Sequence, residues 1–169
     1  MTALRVALLD HGQEASPASD IAAALRERGH DPVLIGGRGT PLDALLDRRG
    51  FTTPLAHLPA TLRRLTAGRF DIAHAFSPQD AYAALSWRRR SDRPMVFSCP
   101  EPVERARLAD RRLKLRFLRA ALEESDAVIV HDEHTRAAAL RWLSLEPPLI
   151  RATDAAALEE LYSRLLAQT

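Results

Sequence analysis

The chain has 169 residues, 46% of them apolar, which suits one domain with a sizeable buried core better than two. Its 24 basic residues against 22 acidic ones leave a net charge of only +2, so it is neither a disordered polyelectrolyte nor a protein built to coat nucleic acid. No apolar run approaches the roughly 18 residues of a membrane span, and an apolar strand starting at Arg5 leaves no room for a signal peptide, which makes the cytoplasm the expected compartment.

In chain order, Arg5-Val6-Ala7-Leu8-Leu9 reads as a buried strand. The polar segment His11 to Pro17 leads into a helix at Ser19-Asp20, with Ser19 as its expected cap, Ile21, Ala24 and Leu25 along one face, and Gly29 as its stop. His30 to Gly37 reads as a second strand. A helix over Pro41 to Arg49, a third strand over Pro54 to Leu58 and a short helix over Thr61 to Ala67 are expected next. Phe70 to Phe76 is a stronger strand signal, followed by a helix over Pro78 to Trp87 with Ser77 as its cap. Pro94 to Cys99 reads as another strand, and the lone Cys99 in this apolar run as a buried, inert thiol. The longest helical pattern spans Glu104 to Glu124, with Leu108, Leu115, Leu118 and Leu122 on its apolar stripe. Then come a strand over Asp126 to Val130, a helix over His134 to Leu143, an edge strand over Pro147 to Ala152, and a terminal helix capped by Thr153 or Asp154.

This alternation predicts an α/β fold, a single three-layer Rossmann-like domain with a mostly parallel sheet and helices on both faces. Residues 1–152 form the expected domain, and the helix over 153–169 packs on it. In such a fold the carboxyl ends of the strands gather their loops along one rim, the place for a ligand.

Several stretches, in their order and spacing, resemble the amino-terminal domain of retaining GT-B glycosyltransferases of the glycogen synthase-like family, the GT4-like enzymes. They are the first strand and loop, LRERGHDPVLIGG at Leu25 to Gly37, FDIAHAFSP at Phe70 to Pro78, PMVFSCPE at Pro94 to Glu101, and ESDAVIVHDEHTRAAAL at Glu124 to Leu140. The resemblance implies an acceptor-binding domain that faces a second, donor-binding domain across a cleft. It further implies transfer of sugar from a nucleotide-sugar donor to an acceptor hydroxyl. The donor domain's paired glutamates have no counterpart here, and Ala155 to Leu166 resembles the final helix that crosses back onto the first domain in full-length members. A donor-domain partner or a second copy of the chain would then supply the missing half. The isolated domain needs no cofactor of its own, and the nucleotide sugar enters with the partner.

At the rim, the resemblance implies that Gly12 belongs to a glycine-containing acceptor or phosphate loop, although Pro17-Ala18-Ser19 stands where further glycines are usual. A turn glycine with no ligand is the alternative. His11 and Glu14 read equally as sugar contacts or as solvated loop residues. His74 matches a family histidine at a strand end and reads either as a catalytic or hydrogen-bonding group or as a structural histidine. Ser98 and Glu101 border the next strand end as candidate ligand contacts, Glu101 reading alternatively as a surface carboxylate, and there the family's histidine is replaced by Pro100, which has no titratable ring. Asp132 and Glu133 read as hydroxyl-binding groups or as caps of the following helix. His131 and His134 lack a third ligand, so no metal is expected. Arg88-Arg89-Arg90 reads as a solvated loop or as a contact for a phosphate or an anionic membrane, and the helix carrying the arginines from Arg105 to Arg119 as lying on a membrane interface or packing its apolar stripe on the sheet, consistent with a glycan or anionic lipid acceptor and peripheral membrane association. Nucleic-acid recognition has no supporting motif. The alternative to a transferase acceptor domain is a noncatalytic binding or assembly module, or an independent small-ligand protein.

Overall fold

The computed structural model describes residues 3–11, 17–36, 57–99, 112–143, 148–151 and 154–169. Five strands, β1 (Arg5–Asp10), β2 (Asp31–Gly36), β3 (Ile72–Ala75), β4 (Met95–Cys99) and β5 (Ala127–Val130), form a wholly parallel sheet in the order β2-β1-β3-β4-β5. Leu149 adds a single parallel bridge to Val130, which is what remains of the expected edge strand among the described residues. Six helices are described: α1 (Ala18–Glu27), α2 (Leu58–Gly68), α3 (Pro78–Ser91), α4 (Arg112–Glu124), α5 (Glu133–Leu143) and α6 (Ala155–Ala167).

The period-two geometry of a strand divides the buried side chains between two layers. Ala7, Leu9, Ala73, Ala75, Met95 and Phe97 face one core, shared with Leu65 of α2, Ala84 and Leu85 of α3, and Leu118 and Ala121 of α4. Val6, Leu8, Ile72, Phe76, Val96 and Ile129 face the other, covered by Ile21 and Leu25 of α1 and by Leu158, Leu161 and Tyr162 of α6. Because both faces are covered, the strands read as continuous apolar runs in the sequence.

Local chemistry sets the helix ends. Ser19 does not cap α1; Pro17 precedes the helix with no side-chain cap, and Ser19 falls in the first turn. At the other end, Gly29 takes φ +83°, letting the Gly29 and His30 amides return to the carbonyls of Arg26 and Leu25 in a Schellman pattern. α6 is capped by Asp154, whose carboxylate accepts from the Ala157 amide at 3.1 Å. It is tied to the α1 end by an ion pair between Glu159 and Arg28.

Two expectations change. His57 and Leu58, read as the end of a strand, are a turn and the first residue of α2: Pro59 stands in the first helical turn, where its fixed φ and missing amide cost nothing. Arg88-Arg89-Arg90 is no loop but the last turn of α3. Arg88 makes two 2.6 Å hydrogen bonds to Asp126, which also accepts from the Met95 amide at 2.9 Å, so the helix end is fastened to the beginnings of β4 and β5. On α4, Phe117, Leu118 and Ala121 are buried, with Phe117 against Tyr82 of α3 at 4.7 Å between ring centroids, while Leu115 of the expected stripe is exposed. The helix expected over 41–49 and the first part of the one expected from Glu104 lie outside the described residues. No described helix is long and apolar enough to cross a membrane.

Candidate functional site

The strand order reverses direction between β1 and β3, and a crevice at the carboxyl ends of such a strand pair is the usual ligand position in a doubly wound sheet. A compact polar cluster occupies this point. Asp80, in the first turn of α3, is fully buried. Its Oδ1 lies 2.6 Å from His11 Nδ1, just past β1, and 3.4 Å from Nε2 of His57, just before α2. Its Oδ2 accepts from the His11 amide at 3.2 Å and from the Ser77 hydroxyl at 2.8 Å. The His11 and His57 rings stack with centroids 4.2 Å apart, and Thr61 Oγ1 lies 3.3 Å from His11 Nε2. Burial alone would raise the Asp80 carboxyl, but the contacts from His11, His57 and Ser77 outweigh it and hold the group well below the usual carboxylate range. The site therefore keeps a fixed negative charge beneath two imidazoles.

Ser77 serves α3 as expected, accepting from the Asp80 amide at 3.1 Å while its own proton goes to the Asp80 carboxylate. Ser77→Ala removes the cap and one of the carboxylate's donors together. It is expected to cost about 1–2 kcal/mol in urea unfolding, with Ser77→Thr recovering most of it.

A second constellation crosses the sheet on the α1 and α6 side. His74 Nδ1 is 2.6 Å from Tyr162 Oη, His74 Nε2 is 2.6 Å from Ser98 Oγ, and Ser98 Oγ is 3.0 Å from His131 Nε2. His131 Nδ1 lies 2.6 Å from the Ile150 carbonyl. That carbonyl can only accept, which orients the whole chain. His131 donates from Nδ1 and accepts at Nε2 from Ser98, Ser98 accepts from His74 Nε2, and His74 Nδ1 accepts from Tyr162. Both imidazoles are neutral in this arrangement. Burial, and then the nearby His131, depress the His74 pKa well below its ordinary value; burial also lowers His131, and it pushes the Tyr162 phenol further up.

Of the residues expected at the rim, His11 is brought into the Asp80 cluster, while His74 and Ser98 are closed off from solvent in the crossing chain. Asp132 takes the capping role, accepting from the Thr135 amide at 2.8 Å and its hydroxyl at 2.7 Å, and Glu133 is exposed at the start of α5. Gly12, Glu14, Pro100 and Glu101 lie outside the described residues. His57, Thr61, Asp80 and Tyr162 escape a sequence reading because their partners are remote: His11 and Asp80 are 69 positions apart, His74 and Tyr162 88. The one local signal was Ser77 with Asp80 three positions on, a helix-start pattern.

A wholly parallel, doubly wound sheet with helices on both faces defines a Rossmann-like domain. The profile of Glycosyltransferase Family 4 matches residues 18–151, and the chain belongs to that family. No curated protein sequence matches it. Among solved structures, a sucrose-phosphate synthase chain from Thermosynechococcus elongatus superposes with a TM-score of 0.67 at 15% identity, covering 95% of this chain and 98% of that one. HepE from Anabaena, solved with UDP and glucose, gives 0.62 at 15% identity over 96% of this chain and 50% of its own. MurG from Acinetobacter baumannii gives 0.51 at 11% identity over 78% and 43%. At these identities the likeness carries the GT-B domain fold alone, and the chain spans about half the length of HepE.

Proposed function

We propose that this chain is the acceptor-side domain of a glycosyltransferase and works with a donor-binding half supplied by a partner, as an accessory subunit in sugar transfer from a nucleotide sugar. The family match over residues 18–151 carries this reading. The polar switch-point cluster and the rim position of His131, Asp132 and Glu133 support it, since hydroxyl-rich acceptors are held by such converging donors and acceptors. In this reading the chain's residues orient an acceptor hydroxyl, and the partner holds the nucleotide and stabilises the departing phosphate. His74 touches no acceptor directly; it positions Ser98 and, through it, His131.

A noncatalytic binding or assembly module is the second reading. It is favoured by the complete burial of His74 with both ring nitrogens engaged, together with Pro100 where the family resemblance puts a histidine.

The discriminating measurement is two-dimensional NMR of the ¹⁵N-labelled chain with UDP-glucose and, separately, with short glycans and a glycosylated lipid in detergent. Amides of residues 10–11, 76–77 and 131–133 are expected to shift with a glycan or lipid acceptor and not with UDP-glucose. Shifts confined to the amino-terminal edge of the sheet, or turnover of UDP-glucose by the pure chain, would contradict the proposal.

A further inference from the structure

We propose that His11, His57 and Asp80 bind a divalent first-row metal ion, with zinc the best match to two imidazole nitrogens and one carboxylate oxygen. One donor atom from each of the three residues lies within 4.8 Å of the other two, and His11 Nδ1 and His57 Nε2 are the ring nitrogens that approach Asp80 Oδ1.

Hydrogen-bond accounting leads to the same place. Thr61 Oγ1 gives its proton to the His57 carbonyl at 3.0 Å, so toward His11 Nε2 it acts as an acceptor. His11 Nδ1 faces a carboxylate oxygen that also only accepts. Each nitrogen of His11 thus meets an acceptor, an arrangement satisfied by a cation on the Nδ1 side while Nε2–H is directed to Thr61. His57 Nε2 is buried with no hydrogen-bond partner among the described residues, 3.4 Å from Asp80 Oδ1. A cap on α3 explains Ser77 and one oxygen of Asp80. It does not call for two stacked imidazoles around the other.

The dimensions fit. A tetrahedral ion with bonds of about 2.0–2.1 Å separates its ligand atoms by about 3.3 Å. The His57 to Asp80 distance of 3.4 Å already matches, and the His11 to Asp80 contact of 2.6 Å needs to open by about 0.7 Å. The outer partners are those of a metal site: Thr61 fixes the His11 tautomer and Ser77 holds Asp80 Oδ2. The two histidine side chains remain 13% and 17% exposed, which leaves an entry path and a fourth position for water or a ligand oxygen. Bound there, the ion would join the end of β1 to the starts of α2 and α3. The inference concerns the switch point itself and does not depend on which sugar, if any, is transferred.

The test uses the full chain, freed of metal with a chelator and titrated with Co²⁺ alone, then with Zn²⁺. One equivalent of Co²⁺ is expected to bind with the visible d–d absorption of a four- or five-coordinate site and to be displaced by Zn²⁺. His57→Gln removes no hydrogen bond from the Nε2 position and is expected to weaken Co²⁺ binding at least about tenfold, because losing even an outer partner of a metal typically costs about 10–100-fold. His134→Gln, at an exposed histidine outside the cluster, is expected to leave affinity unchanged. On the unmodified chain, Zn²⁺ is expected to shift the imidazole nitrogen resonances of His11 and His57 and not those of His134, a readout that needs no variant to fold. Absence of stoichiometric binding, equal affinity in His57→Gln, or ring shifts at His134 in place of the cluster would overturn the proposal.

Discussion

Between pH 7 and pH 5 the protein is expected to lose about 2 kcal/mol of stability through His74 alone, with a smaller loss through His131. The sign follows from the proton balance. Unfolded, each ring titrates near its ordinary value of 6.5; folded, both are depressed by burial, so below pH 6.5 the unfolded chain binds more protons than the folded one. Stability is therefore complete above that value and falls as the pH drops toward the depressed folded values. The limiting slope is about 1.4 kcal/mol per pH unit for each fully shifted ring. Asp80, Asp132 and Glu159, also depressed, begin to contribute only when the pH approaches their ordinary values of 3.8 to 4.5, so the histidine window stands apart.

The same chain makes His74 costly to replace. His74→Gln leaves Tyr162 Oη and Ser98 Oγ with altered partners in a dry site and is expected to cost about 2–4 kcal/mol at pH 7.5. It should also remove most of the slope between pH 5 and 7. Tyr162→Phe, which takes away one donor and leaves the imidazole, is expected to cost about 1–2 kcal/mol and to keep the slope. Urea titrations of the three proteins at half-unit pH steps measure both quantities. A wild-type slope near zero in this window would mean that the rings take up protons inside the fold as readily as in the unfolded chain, against the polarity imposed by the Ile150 carbonyl.

Apolar periodicity made most of the architecture legible. β1, β3, β4 and β5 are short apolar runs bounded by polar or proline residues, and such runs announce strands covered on both faces. Ser77 before α3 and Asp154 before α6 were readable because a cap and its helix are neighbours in the chain. Ser19 misled because a serine in the first turn has the same composition as one at the cap; the backbone at Pro17 decides between them. His57 and Leu58 misled because a short apolar run with no period of its own fits a strand or a helix start equally. The site was less legible for a different reason. Parallel strands join remote segments, and nothing near His11 in the sequence announces Asp80 or His57, nor anything near His74 the phenol of Tyr162. The family resemblance singled out His74 as a rim residue and polarity singled out His11, but a strand's last residues can face the rim or either core. Alternation along β3 turns His74 into the layer beneath α6.

Gly36→Ala is expected to destabilise the fold by about 3 kcal/mol or more. Gly36 pairs with Asp10 at the carboxyl end of the β1–β2 ladder, and a Cβ on it would stand 1.9 Å from the Asp10 carbonyl oxygen. That atom belongs to backbone in the sheet and has no rotamer by which to retreat, so β2 must separate from β1. The separation begins one residue before His11, which is held to Asp80 by both its amide and its ring, and so it loosens the switch-point cluster as well. Gly29→Ala is the internal comparison. Gly29 has φ +83° with nothing among the described residues within 4 Å of the added carbon, so backbone conformation is what opposes the methyl, at about 1 kcal/mol. Urea unfolding of the two variants separates steric from conformational cost, and amide exchange along β1 is expected to accelerate in Gly36→Ala alone. Equal stabilities for the two variants would mean that the close approach of these strands is not a feature of the folded protein.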